Sequence, residues 1–254
     1  MTAVVSPVSS GQKLSKREIG CYGLPRFGAA MMYLAIAIFL PKFYTDNETL
    51  LLAPAFIGWT LLIGRFWDGF TDPIMGYISD RTRSRMGRRR PYFLYSAIPL
   101  AIAYYLLWSP PHGLQDWELF LYLTGTYLLT YTFWTVFTIP YTSLGAEMTM
   151  DYHERTVLTG VREMFGVAGT IVGTLAPPVF AAIFLDQRTG YSYLAGVTGM
   201  IAAALIIFSF FNLKENPEFQ TQTPIALGEG LKAIFRNRPF RTLFLVFVIA
   251  LMGG

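Results

Sequence analysis

Four long stretches of the chain contain no Asp, Glu, Lys or Arg: Pro91 to Gln115, Leu119 to Ala146, Gly166 to Leu185 and Tyr191 to Leu213. Each reaches the ~20 residues that an α-helix needs to cross a ~30 Å hydrocarbon core. The composition agrees, with 53% of the 254 residues hydrophobic and 14% charged, well below the roughly 25% charged of a soluble domain. Membrane-spanning strands would alternate in segments of ~10 residues. These runs are continuous and separated by Pro, Gly or charge, so they read as helices.

Two further spans, Ile19 to Pro41 and about Leu50 to Ser79, complete a set of six. The expected fold is an all-α polytopic membrane protein with helices at about 19–41, 50–79, 92–109, 118–141, 156–185 and 191–213. A seventh apolar run begins at Thr242 and reaches Gly254, 13 residues where about 17 to 25 are needed, and it reads as the start of a truncated helix. Residues 1–18 read as a tail without the pattern of a cleaved signal, and residues 214–241 as a linker. The single Cys21 has no internal disulfide partner, and His112 and His153 fall in loops without a neighbouring Cys or His. No metal centre or cofactor is expected from them.

Basic residues set the orientation. Arg81, Arg83, Arg85, Arg88, Arg89 and Arg90 follow the second span; Lys13, Lys16 and Arg17 precede the first; Lys214, Lys232, Arg236, Arg238 and Arg241 follow the sixth. The opposite loops hold only Lys42 and Arg188. The positive-inside bias therefore puts the N-terminus in the cytoplasm of a cell bounded by this membrane, the inner membrane for a bacterial protein. The net charge of +4 is accounted for by topology and implies no nucleic-acid partner.

Within the second span lie Arg65, Asp68 and Asp72. Counted from Asp80, Asp72 sits about 12 Å and Asp68 about 18 Å into the helix, near the middle of the bilayer. Four residues apart, the two acids share a face, and that face must look into the bundle, since a carboxylate facing lipid costs about 3 kcal/mol. One reading pairs Asp68 with Arg65 as a structural ion pair. The other makes Asp68 and Asp72 a site for a hard monovalent cation or a proton. Pro73 fits the second, because its missing N–H leaves the Gly69 carbonyl without a helical donor.

The segment "RFWDGFTDPIMGYISDRTRSRMGRRRP", with "YTDN" at residues 44–47 and "IPYTSLGAEMTMDYHERTVLTGVREMFGVAG" at residues 139–169, resembles the glycoside-pentoside-hexuronide:cation symporters. These form a branch of the major facilitator superfamily that includes melibiose permease. The resemblance covers essentially the whole chain as an N-terminal six-helix half, and it implies a missing C-terminal half. It implies a sodium site at Asp68, Thr71, Asp72 and Thr135, with Thr71 standing where melibiose permease has an Asn. Lithium or a proton are the alternative coupling ions.

At the family's sugar-binding positions this chain has Ala30, Thr138 and Arg162, so two carboxylates are replaced and the Arg is kept. That departure argues against melibiose and toward another glycoside, a uronide whose carboxylate seeks Arg162, or a more apolar molecule. The structural alternative for Arg162 is a pairing with Glu163 or Glu154. Asp80, Arg81, Arg88, Arg89, Glu147 and Arg155 correspond to a charge network that is made and broken as the two halves rock. Glu147, Asp151, Glu154 and Arg155 stand where an inverted three-helix repeat would place a counterpart of the first basic loop.

The function implied is cation-coupled symport of a sugar, glycoside or uronide by alternating access. The alternatives are proton-coupled transport of a non-sugar molecule, and a sensor or scaffold built on a half-transporter. No HExxH, Walker A loop, GxSxG elbow or Cys-His pairing appears, so no enzyme is expected.

Overall fold

Six α-helices make up the regular structure of the described residues in the computed structural model: α1 (Lys16–Thr45), α2 (Pro54–Arg81), α3 (Pro91–Leu107), α4 (Asp116–Met148), α5 (Tyr152–Ile183) and α6 (Gln187–Asn212). The described residues are 14–46 and 49–215, with Thr242 and Val246 beyond them. The tail to residue 13 and nearly all of the expected 214–241 linker and of the expected seventh helix lie outside them. Three helices, α1, α5 and α6, are long and apolar enough to cross a membrane, and α3 is equally apolar at 17 residues. The chain is therefore an all-α, multi-helical membrane protein.

Local chemistry explains the helix ends. The Ser15 hydroxyl accepts from the Glu18 amide while the Glu18 carboxylate accepts from the Ser15 amide, closing a capping box on α1. Asp151 and Asp186 cap α5 and α6, while Pro54 and Pro91 open α2 and α3, where a missing N–H is harmless. Helix α2 starts later than the apolar pattern predicts because residues 49–52 fold back: Leu51 has φ 53°, and the Leu52 amide donates to the Tyr44 carbonyl at 2.7 Å. Helix α4 continues to Met148 past Pro140, since one proline removes one ladder bond and neighbouring helices hold the rest. Pro25 shows the repair directly. It deprives the Cys21 carbonyl of its donor, and the Ser209 hydroxyl of α6 supplies one at 2.6 Å.

Packing follows small residues. A Cβ on Gly169 or Gly173 of α5 would lie 2.2 Å from the Phe27 carbonyl oxygen or 2.5 Å from that of Met31, so α1 and α5 touch backbone to backbone. The neighbours obey an exchange rule: α1 packs on α5 and α6, α4 packs on α2 and α3, and α3 packs on α6. Swapping α1–α3 for α4–α6 preserves that pattern, as a three-helix repeat requires. The contact of α5 with α6 is the exception, with no α2–α3 counterpart of like extent. Tyr22 of α1 and Tyr141 of α4 obey the same exchange. Their rings stack at 4.7 Å, and each hydroxyl donates to the other's carbonyl, at 3.4 and 2.8 Å.

The core lies among α1, α3, α4 and α6, where Phe43, Tyr104, Leu107, Trp108 and Tyr191 are buried. Aromatic rings near the extracytoplasmic helix ends, Tyr104, Trp108 and Tyr191 among them, are expected from sequence to sit at headgroup level; the structure buries these three instead. Trp108 stacks on Tyr191 at 5.4 Å inside the bundle, because helical spacing turns these rings inward while Tyr105, Trp117 and Tyr193 face out.

Candidate functional site

On α2 and α4 the structure brings Asp72 and Thr135 together. The buried Thr135 hydroxyl donates to the Asp72 carboxylate at 2.9 Å, and its oxygen lone pairs stay available. One turn away, a carboxylate oxygen of Asp68 is buried without a hydrogen-bond partner. Arg65 does not satisfy it, because the ion pairs among the described residues do not include that pair. Thr71 turns inward on its own helix, donating to the Trp67 carbonyl at 3.0 Å. The helices approach because Gly64 admits the Tyr127 ring, whose Cε1 would lie 2.4 Å from a Cβ there. Trp67, which the sequence did not assign, ties the same seam by donating from Nε1 to the Thr132 hydroxyl at 2.9 Å. An oxygen-only set of two carboxylates and hydroxyls suits a hard cation.

A second cluster joins α1, α4 and α5. Arg162 donates from Nε and Nη2 to one Glu163 oxygen at 2.9 and 2.6 Å. The other Glu163 oxygen faces Arg26 Nη2 at 3.5 Å. Neighbouring residues on a helix rarely face each other; the length of the arginine side chain lets it fold back here. Thr138 has a buried hydroxyl without a partner, and Ala30 is buried within α1 packing. Arg26 is the functional candidate that sequence reasoning missed. Its one signal was a lone cation inside an otherwise uncharged stretch of span 1.

The third cluster gathers the basic loop. Arg88 and Arg89 are both buried and both donate to Glu147 Oε1, at 2.6 and 3.0 Å. Arg89 also meets Asp80 at 2.5 Å and the Ser79 hydroxyl at 2.6 Å. Four of the six expected network members thus touch. Arg81 lies apart with its guanidinium 4.0 Å from the Tyr77 ring centre. Arg155 donates instead to the Ala146 and Thr149 carbonyls, both at 3.2 Å, at the end of α4.

Glu215, just after α6, accepts from the amides of Arg88, Arg89 and Arg90 at 2.6, 2.7 and 2.7 Å. Those amides lie in the turn that leads into α3, with Arg90 as its N-cap. Gly87, at φ 110°, keeps the cradle open, since a Cβ would lie 2.5 Å from that carboxylate. The sequence hid Glu215 among the linker's basic residues.

Among the described residues, acids and cations thus lie deep in a bundle of apolar helices. The chain matches the family model described as MFS/sugar transport protein over residues 21–254, and it belongs to that family. It is 32% identical over 243 residues to the uncharacterized symporter YnaJ of Bacillus subtilis, covering 94% of this chain and 52% of that protein. The inner membrane symporter YicJ of Escherichia coli is 32% identical over 246 residues, with the same two coverages. The putative glycoside/cation symporter YagG of Escherichia coli is 31% identical over 234 residues, 91% of this chain and 50% of YagG. The chain spans about half the length of these curated relatives. It is a symporter-like membrane protein related to sugar and glycoside transporters.

Proposed function

We propose that this chain forms the N-terminal six-helix half of a cation-coupled symporter, with sodium as coupling ion and a sugar, glycoside or uronide as substrate. Asp68, Thr71, Asp72 and Thr135 supply the cation's oxygen ligands, Thr71 through its remaining lone pairs. Arg162, Thr138 and Ala30 border the substrate. The observation that carries the reading is the Asp72 to Thr135 hydrogen bond between α2 and α4, beside an Asp68 oxygen with no protein partner. Cation and substrate then each raise the other's affinity, as linkage demands.

Asp80, Arg88, Arg89 and Glu147 act in this reading as the contact that opens and closes on the cytoplasmic side, with Arg81 and Arg155 at its margin. In this reading the N-terminus is cytoplasmic, which the positive-inside bias of the loops supports. A cysteine at Ser84 is then labelled only from the cytoplasm and one at Gly113 only from outside.

The test uses the complete gene product in proteoliposomes. Sodium is expected to stimulate uptake and to raise thermal stability by mass action, and Asp72→Asn is expected to remove both effects without loss of membrane insertion. Sodium dependence that persists in both Asp68→Asn and Asp72→Asn would return the acids to a structural role.

A further inference from the structure

Six charged side chains of the described helices lie more than two turns from either helix end: Arg26 in α1, Arg65, Asp68 and Asp72 in α2, and Arg162 and Glu163 in α5. Arg26 and Arg162 each stand ten residues into their helices, so both lie about 15 Å deep. Thr138 is ten residues from the end of α4, at the same level. With the three acids ionised, three positive and three negative charges cancel. One bound monovalent cation leaves the belt at +1, in a region where uncompensated charge is expensive.

The cationic excess has a definite location. Arg162 already holds two hydrogen bonds to one Glu163 oxygen, at 2.9 and 2.6 Å. Arg26 has one long contact, 3.5 Å, to the other oxygen, and its buried Nε has no partner at all. Both members of that long pair are partly exposed, with 38% and 46% of their side-chain surface open. Gly166 shapes the seat: a Cβ there would press on Arg26 Nε at 3.2 Å and Cγ at 3.3 Å. A guanidinium presents five donors in a planar fork, and among the described residues Glu163 is the acceptor recorded for Arg26, with Nε unpaired.

We propose that Arg26 receives a carboxylate on the transported molecule, with Glu163 standing in for that group while no substrate is bound. The proposal rests on the symport reading above and sharpens its substrate class. A monoanion restores neutrality after one cation has entered, whereas a phosphate monoester, at about −1.5 to −2 near pH 7, overshoots and a neutral sugar leaves the excess standing. Arg162 remains committed to Glu163 and serves to position it. Arg26 therefore sets the preference for acid over neutral substrate, a role that Arg162 alone would hold if sequence were the only guide.

The test is counterflow in proteoliposomes of the complete gene product, with sodium present, comparing matched trios: a neutral glycoside, the corresponding uronide and the corresponding sugar phosphate. The wild type is expected to favour the uronide over both others. Arg26→Gln is expected to lower the uronide-to-neutral ratio about tenfold or more, the scale of a lost charge-assisted hydrogen bond, and Arg26→Lys to keep part of it. Glu163→Gln frees Arg26 of its competitor and is expected to lower the uronide concentration for half-maximal exchange, a gain that misfolding cannot mimic. A ratio unmoved by Arg26→Gln, a wild type that favours the neutral or phosphorylated member, or weaker uronide exchange in Glu163→Gln overturns this proposal alone. No sodium-dependent exchange of any member overturns the symport reading and this proposal with it.

Discussion

The belt of polar residues inside the bundle and the arginine loop between α2 and α3 contain the same kinds of side chain in opposite states of satisfaction. In the loop, Glu147 serves two buried arginines, Asp80 and Ser79 share the second, and Glu215 accepts from three loop amides. Arg88 Nε is the one buried side-chain atom of that group left over. Inside the bundle, Asp68, Thr138 and Arg26 each keep a buried polar atom unpaired. Such an atom forfeits about 1 to 3 kcal/mol, and three of them in the helix interiors suit the proposed reading, in which partners arrive from outside the chain. The loop is closed by its own side chains, whereas in the proposed reading the belt is completed by solutes.

Removing an acid separates the two regions most sharply. Glu147→Ala strands the almost wholly buried Arg88 and leaves Arg89 to Asp80 and Ser79, and breaking such a buried pair costs about 3 to 5 kcal/mol. A thermal midpoint in detergent as high as that of the wild type would show that the loop is less constraining than its geometry. Glu215→Ala follows with about 2 kcal/mol, since water can replace some of the lost acceptors at the α3 end. The same thermal measurement reads it.

In the belt the expectation reverses. Asp68→Asn and Thr135→Val should each move sodium-free stability by no more than about 1 kcal/mol and abolish the stabilisation that sodium confers. A large sodium-free loss in either variant would make the belt structural, like the loop.

The smallest effect lies in the loop before α6. The Thr189 hydroxyl bonded to Asp186, together with the Thr189 and Arg188 amides, holds the Asp186 carboxyl below the ordinary carboxylate range. A lowered folded value stabilises above the unfolded value of about 3.9 and is lost as pH falls through the folded one. Hydrogen-exchange protection of the Arg188 and Thr189 amides should therefore hold at pH 6 and decline below about pH 4. Protection that is constant across that window would remove Asp186 from the cap.

The sequence made the helices legible because uncharged length is a one-dimensional property. Their ends were harder, since the start of α2 depends on Leu52 bonding back to Tyr44 and the run of α4 through Pro140 depends on its neighbours. Asp68 and Asp72 stood out by charge in an apolar span, but Thr135 was one of many helical threonines and became a candidate only by resemblance. Its bond to Asp72 crosses 63 positions. Arg26 is a lone cation in an otherwise uncharged stretch, and only the side-by-side placement of α1 and α5 sets it against Glu163. Burial of Tyr104, Trp108 and Tyr191 was invisible for a related reason: an aromatic ring near a helix end is compatible with headgroups or with a core.

The crossed bonds of Tyr22 and Tyr141 carry a mechanical consequence. Each ring anchors to the other helix's backbone, so sliding α1 along α4 in either direction stretches one bond of the pair. Rotation about the line through the stacked rings lengthens neither at first order. Gly145 sharpens the fit, because a Cβ there would lie 2.0 Å from the Tyr22 hydroxyl. The pair behaves as a bearing, a point at which two helices may pivot and cannot creep.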